Sequence, residues 1–314
     1  MEYAQLIVGL ITLLISAEFL VKGSVSIAIR LRISTLVIGM TIVSFGTSAP
    51  ELLVAIKAAL NNKPDIALGA IIGSNISNLA LVLGVTALVF PVRVNRDTIF
   101  IDWPMMMIST LLFYVLILNG ILGFWEGVTL ISILGIFTFW LIRRSRKKNK
   151  KDPDLVVEKV KWSKLILAKE IGFIAIGCLG LVYGAEWFLD GADDIALNFG
   201  ISERVIGLTV VAIGTSMPEL VTSLVAAFRK QMDISIGNLI GSNIFNLLSI
   251  LGITSIVKEI PVNEILLSFD IYWLLVISAL ILPFMLYRRT ITRFQGAFLL
   301  IFYVVYIYFV ISKG

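Results

Sequence analysis

Along the whole chain, apolar residues gather into runs close to the ~20 needed to cross a hydrocarbon core, parted by short polar or Gly/Pro-bearing breaks. The runs predict helices at about 3 to 24, 35 to 60, 66 to 90, 99 to 119, 123 to 142, 165 to 190, 203 to 227, 234 to 257, 268 to 287 and 292 to 311. No soluble domain fits between them. The expectation is an all-α polytopic membrane protein of ten helices, five in residues 1–142 and five in residues 165–314, with a polar linker over 143–164. The first run, Leu6 to Val21, lacks a basic leader and a small-residue cleavage site and contains Glu18, so it reads as a retained helix.

Composition adds two exclusions. Apolar residues make up 58% of 314 positions and charged ones 15%, more apolar surface than a soluble fold buries. Cys178 is the single cysteine and histidine is absent, so disulfides, thiolate or imidazole metal sites and histidine proton relays are excluded, and any bound metal is held by oxygen.

The net charge of +5 reads as a topology signal and not as a nucleic-acid surface. The linker carries Arg143, Arg144, Arg146, Lys147, Lys148, Lys150 and Lys151, which assigns it to the cytoplasmic side. Counting helices outward, Arg30/Arg32, Arg93/Arg96, Arg229/Lys230 and Arg288/Arg289/Arg293 then fall at inner ends, and both termini are expected outside the cytoplasm.

Shifted by 168 residues, the chain aligns with itself without a gap: Glu18 to Asn95 matches Glu186 to Asn263 at 35 of 78 positions. Two blocks concentrate the identities. Gly46-Thr47-Ser48-Ala49-Pro50-Glu51 matches Gly214-Thr215-Ser216-Met217-Pro218-Glu219, and Gly73-Ser74-Asn75-Ile76-Ser77-Asn78 matches Gly241-Ser242-Asn243-Ile244-Phe245-Asn246. Five helices precede the second copy, so it enters the membrane from the opposite side, the inverted-repeat arrangement of secondary transporters.

Glu51 and Glu219 lie inside apolar helices, where an ionisable group costs ~2.5–3.5 kcal/mol or more and marks a functional site. Each follows a proline that cannot donate to the carbonyl four residues back, Gly46 or Gly214, so both segments are expected to break their helices and expose backbone oxygens. Ser74 with Asn78, and Ser242 with Asn246, share a helix face at i, i+4 and are read as ion ligands; Asn75 and Asn243 point elsewhere and are read as interhelical glue. Carboxylates, hydroxyls, amide oxygens and carbonyls form an all-oxygen cage suited to calcium, with 6 to 8 ligands in flexible geometry, and less suited to magnesium. Several sodium ions could occupy the same residues in its absence. Glu18 and Glu186 match across the repeats, either as packing acids or in an access path.

At these motifs the chain resembles the sodium/calcium exchanger family of cation/calcium antiporters, in its compact prokaryotic form. The resemblance implies a core of helices 2, 3, 7 and 8, with helices 1 and 6 sliding across it in a prokaryotic plasma (inner) membrane. It implies calcium held by Glu51 and Glu219 with backbone oxygens of Thr47 and Thr215. Sodium would take flanking sites from Ser48, the Ala212 carbonyl, Thr215 and Ser242, and from the Ser44 carbonyl, Thr47, Ser74 and Ser216, with Asn78 and Asn246 beside them. Asn246 departs from relatives that carry aspartate there, which argues against potassium co-transport and a third carboxylate.

The expected activity is electrogenic sodium/calcium antiport by alternating access. The chain is then a carrier and not an enzyme; calcium and sodium are cargo, no resident cofactor is expected, and beyond lipid no nucleic acid or obligatory protein partner is implied. A calcium/proton or other cation/proton antiporter using the same carboxylates is the alternative. An intramembrane hydrolase would need unlike roles for two acids in near-identical settings, and a channel would conduct without a counter-ion.

Overall fold

The computed structural model describes residues 2–149, 164–198 and 213–313. Most of the linker and the first half of the seventh predicted helix, with Ala212, lie outside the described residues.

The helices are α1 (Glu2–Leu31), α2 (Thr35–Thr47 and Ala49–Leu60), α3 (Pro64–Val89), α4 (Thr98–Leu116), α5 (Phe124–Asn149), α6 (Lys164–Asn198), α7 (Met217–Phe228), α8 (Met232–Val257), α9 (Leu266–Leu286) and α10 (Arg293–Lys313). Among the described residues, eight are long and apolar enough to cross a membrane, nine if the two halves of α2, bent by 46°, count as one span. The fold is an all-helical polytopic membrane fold.

Two helices form the centre. Of the apolar window in α3 72% is buried within the protein, and in α8 78%, against 11–33% in the other long helices, which turn most of their surface outward. Small residues let α8 lie against α2 at backbone distance: a Cβ at Gly39 would stand 2.9 Å from the Ile234 carbonyl oxygen, and one at Gly241 2.7 Å from Met40 Cα. Both α3 and α8 carry a π-helical turn at the end of the repeated motif, Asn78–Val82 and Asn246–Ile250, which shifts the face presented by the residues beyond it.

Helices α1 and α6 form a second unit. A Cβ at Gly177 would lie 2.8 Å from the Leu20 nitrogen, so here too only glycine fits the crossing. A bidentate ion pair, Arg30 Nε to Glu170 Oε2 at 2.7 Å and Nη2 to Oε1 at 2.8 Å, joins the two helices where both side chains are buried. This pair explains why α1 runs past the expected end near residue 24: Arg30 reads as a boundary charge, but Glu170 lets it continue the helix under cover.

Helix α5 likewise extends to Asn149, so Arg143, Arg144, Arg146, Lys147 and Lys148 form its last turns and not the start of a loop. Arg144 stacks 5.3 Å from the Trp140 ring, and Lys148 reaches Asp97 at 2.8 Å. Two short antiparallel ribbons complete the fold: β1 (Val92–Arg93) pairs with β4 (Thr290–Ile291), and β2 (Ile121–Leu122) with β3 (Ile260–Pro261). Each joins one half of the sequence to the other.

Candidate cation site

The break in α2 falls at Ser48 (φ −85°, ψ 11°), and Ser216 before α7 has nearly the same backbone (φ −87°, ψ 2°). Proline in the first turn of the following helix has no N–H to continue the ladder, so each chain segment restarts as a new helix. Glu51 and Glu219 therefore stand in a first helical turn, where the positive end of the helix dipole favours a carboxylate.

Serine before a helix normally caps it with its side chain. Neither serine does so here. Ser48 instead donates across to the other half of the sequence, reaching Glu219 Oε1 at 3.1 Å, and the buried Ser216 hydroxyl has no partner among the described residues. Ser74 of α3 donates to Glu51 Oε1 at 3.1 Å and Ser242 of α8 to Glu219 Oε1 at 3.5 Å. Each carboxylate is thus met by a serine one motif further along its own copy, and Glu219 also by one from the other copy.

Both glutamates are fully buried, and among the described residues no basic side chain forms an ion pair with either. Glu51 Oε2, Glu219 Oε2, Asn246 Oδ1 and both polar atoms of Asn78 are buried without a hydrogen-bond partner among the described residues. Buried polar atoms are nearly always paired, so this cluster is poised for something that supplies positive charge. Two carboxylates call for two positive charges, and the surrounding donors of electron pairs are all oxygen.

A model of the sodium/calcium exchanger protein family matches residues 1–143 and 169–312. The chain belongs to that family. It is 31% identical over 345 residues to the sodium/calcium exchanger MaX1 of Methanosarcina acetivorans, covering 98% of this chain and 97% of the relative. It is 32% identical over 290 residues to the inner membrane protein YrbG of Escherichia coli K12, covering 91% and 89%. A solved structure of the sodium-calcium exchanger NCX_Mj, soaked without sodium or calcium, superposes with a TM-score of 0.83 at 32% identity over 97% of both chains.

In this member of the family, Thr47, Ser48, Glu51, Ser74, Asn78, Ser216, Glu219, Ser242 and Asn246 are all buried on α2, α3, α7 and α8 or at their breaks. Thr215 is buried beside Ser216. The Ser44 carbonyl, expected as a sodium ligand, accepts from Ser48 N at 3.0 Å and from Thr47 Oγ1 at 3.3 Å, while the Ser44 hydroxyl donates to Gly39 O and Asn238 O. Ala212 falls outside the described residues.

One buried polar residue at the site escapes a reading of the motifs. Asn238 accepts from Thr47 Oγ1 at 3.0 Å and donates to Ser223 at 3.2 Å. Its counterpart in the first copy is Ala70, so matching the repeats conceals it. The signal that finds it is spacing: Asn238, Ser242 and Asn246 recur every four residues and share one face of α8. Glu18, left open between packing and access, is held by Arg229 at the end of α7 at 2.6 and 2.9 Å, whereas Glu186 is exposed.

Proposed function

We propose that the protein is a secondary active antiporter that exchanges sodium for calcium at Glu51 and Glu219. The observation that carries the reading is the pair of fully buried carboxylates, each with one oxygen unpartnered among the described residues, facing hydroxyls and amide oxygens with no described basic residue to neutralise them. A calcium ion balances two carboxylates and accepts the flexible oxygen geometry. Glu51, Glu219 and backbone oxygens of Thr47 and Thr215 hold it. Sodium ions take Ser48, Thr215, Ser242 and the Ala212 carbonyl on one flank, and the Ser44 carbonyl, Thr47, Ser74 and Ser216 on the other, with Asn78 and Asn246 adjoining.

Because both ions need the same carboxylates, binding one requires releasing the other, and that competition makes the transport an exchange. More sodium-type oxygen ligands than carboxylates supports several sodium ions per calcium, hence an electrogenic cycle. The topology in this reading is ten spans as two inverted five-helix repeats, residues 1–142 and 165–314, with the basic linker 143–164 cytoplasmic and both termini outside, in a prokaryotic plasma membrane. Support comes from the self-match of the sequence, the placement of basic residues, family membership and the likeness to NCX_Mj. Alternating access of the midplane site to the two sides follows from such repeats.

The test is radioactive calcium uptake into proteoliposomes loaded with sodium, with potassium-loaded and pH-jumped vesicles alongside and the Glu51→Gln and Glu219→Gln variants. Uptake that requires the outward sodium gradient and disappears in both variants is the expected result. Uptake driven by a proton gradient without sodium, or retained in either variant, rejects the reading.

A further inference from the structure

Glu18 recurs in the second copy as Glu186, but the partner of Glu18 does not recur. Arg229, at the end of α7, grips Glu18 of α1 with a two-pronged bond, Nη2 to Oε1 at 2.6 Å and Nε to Oε2 at 2.9 Å. At the shift of 168 residues the counterpart of Arg229 is Asn61, at the end of the second half of α2. Asn61 carries no charge, and Glu186 is exposed and forms no ion pair among the described residues. The α1–α6 unit is therefore clasped to the core by charge at the end of α7 and not at the matching end of α2.

That unit also sits unevenly on the two helix breaks. A Cβ at Gly46 would meet Cys178 Sγ at 2.5 Å, and one at Gly214 would meet Leu189 Cγ at 2.5 Å, so α6 covers both. The same shift of 168 pairs Cys178 with Leu10 and Leu189 with Val21, both on α1. A symmetric seating would set Leu10 against Gly214 and Val21 against Gly46, yet neither is among the nearest atoms there. The unit occupies one of two positions related by exchange of the copies.

In a carrier built from inverted copies, that exchange converts one facing into the other. It would draw Glu18 away from Arg229 and bring Glu186 toward Asn61, replacing a carboxylate–guanidinium pair by a carboxylate beside an amide. Both members of the pair are partly exposed, so the resulting bias is about two- to fivefold in the equilibrium between the two positions.

We propose that Glu18 and Arg229 form a latch that favours the state in which the α1–α6 unit is held against the end of α7. The proposal rests on the antiporter reading. In the proposed topology the end of α7 is cytoplasmic, so the favoured state opens to the outside. The latch bears on the helix that carries Glu219 in its first turn.

The test is sodium-driven calcium transport by the full chain in right-side-out and in inverted membrane vesicles, with the half-saturating calcium concentration read at each face. An apparent affinity scales with the population of the state open to that face, so the ratio of external to cytoplasmic values reports the bias. Arg229→Gln is expected to raise this ratio about two- to fivefold. Glu18→Gln should match it, and the two together should add nothing further. Asn61→Arg, which gives Glu186 the partner it lacks, should raise the ratio too. A ratio unchanged in Arg229→Gln, or one that rises further in the double variant, overturns the latch. Disulfide trapping reads the same equilibrium without transport: in a Cys178→Ser background, Glu186→Cys and Asn61→Cys should cross-link faster once Arg229→Gln is added, and an unchanged rate overturns the latch. Wild-type vesicles that show no sodium-driven calcium transport would reject the antiporter reading instead, with the trapping rate left to decide the latch.

Discussion

The side-chain amide of Asn75 donates to the backbone carbonyl of Asn243 at 3.3 Å, the residue that holds its own place in the second copy of the repeat. The bond is not returned in kind. Asn243 turns its amide to Leu239 O in its own helix, and Asn75 Oδ1 instead accepts from Asn246 at 3.0 Å. Asn75 thus ties α3 to α8 from a position between Ser74 and Asn78. Replacing it with alanine leaves the Asn246 amide short of an acceptor. A loss of about 1–3 kcal/mol in stability is expected, read as a lower Tm, with the requirement for sodium in calcium uptake retained.

Gly241 tests the close approach of α8 and α2. A methyl group there would meet Met40 Cα at 2.7 Å and its carbonyl oxygen at 2.9 Å, backbone atoms that cannot rotate away. Gly241→Ala is expected to cost about 1–3 kcal/mol by overpacking and to part Ser242 from Thr47, which stand 3.4 Å apart. Calcium uptake should fall more steeply than Tm, since the displaced residues line the proposed site.

The Arg30–Glu170 pair offers a test by comparison of single and double variants. Arg30→Met leaves Glu170 a buried acid without the guanidinium, and Glu170→Leu takes from Arg30 its bidentate acceptor. Replacing both removes the charges together, so the double variant is expected to unfold at a higher temperature than either single one. A double variant less stable than both would mean that the pair contributes net stability where it lies.

Asn238 should reveal itself in the sodium dependence. Asn238→Ala removes the acceptor that orients the Thr47 hydroxyl, an interaction of about 1 kcal/mol, which corresponds to roughly a fivefold higher sodium concentration for half-maximal uptake. Folding should be little affected because the Thr47 hydroxyl can still donate to the Ser44 carbonyl at 3.3 Å and Ser223 loses only one donor. Unchanged sodium dependence would place Asn238 among the packing residues.

Much of this molecule is written in its hydropathy and its internal repetition. Helices α3, α8, α9 and α10 begin and end within a few residues of the apolar runs, and the Ser48 break follows from Pro50. The sequence is less informative where one residue's meaning depends on a distant partner. Arg30 marks the end of a span unless Glu170 is known to lie beside it, and Glu18 has no evident purpose until Arg229 meets it. Asn238 is hidden because the two copies differ there. The π-helical turns leave no mark on a 3.6-residue periodicity, since each inserts only one extra residue into a long apolar run. The serine side chains that reach across from one copy to the other could not be read at all, as nothing local sets the angle between the halves.

The two ribbons also limit how the protein can move. They flank α4, 19 residues long and so about 28 Å from end to end, and each stitches a loop of one half to a loop of the other. Swinging one half away from the other about α4 would break backbone hydrogen bonds at one ribbon or the other, so the two clasps hold both halves to a common frame along the length of that helix.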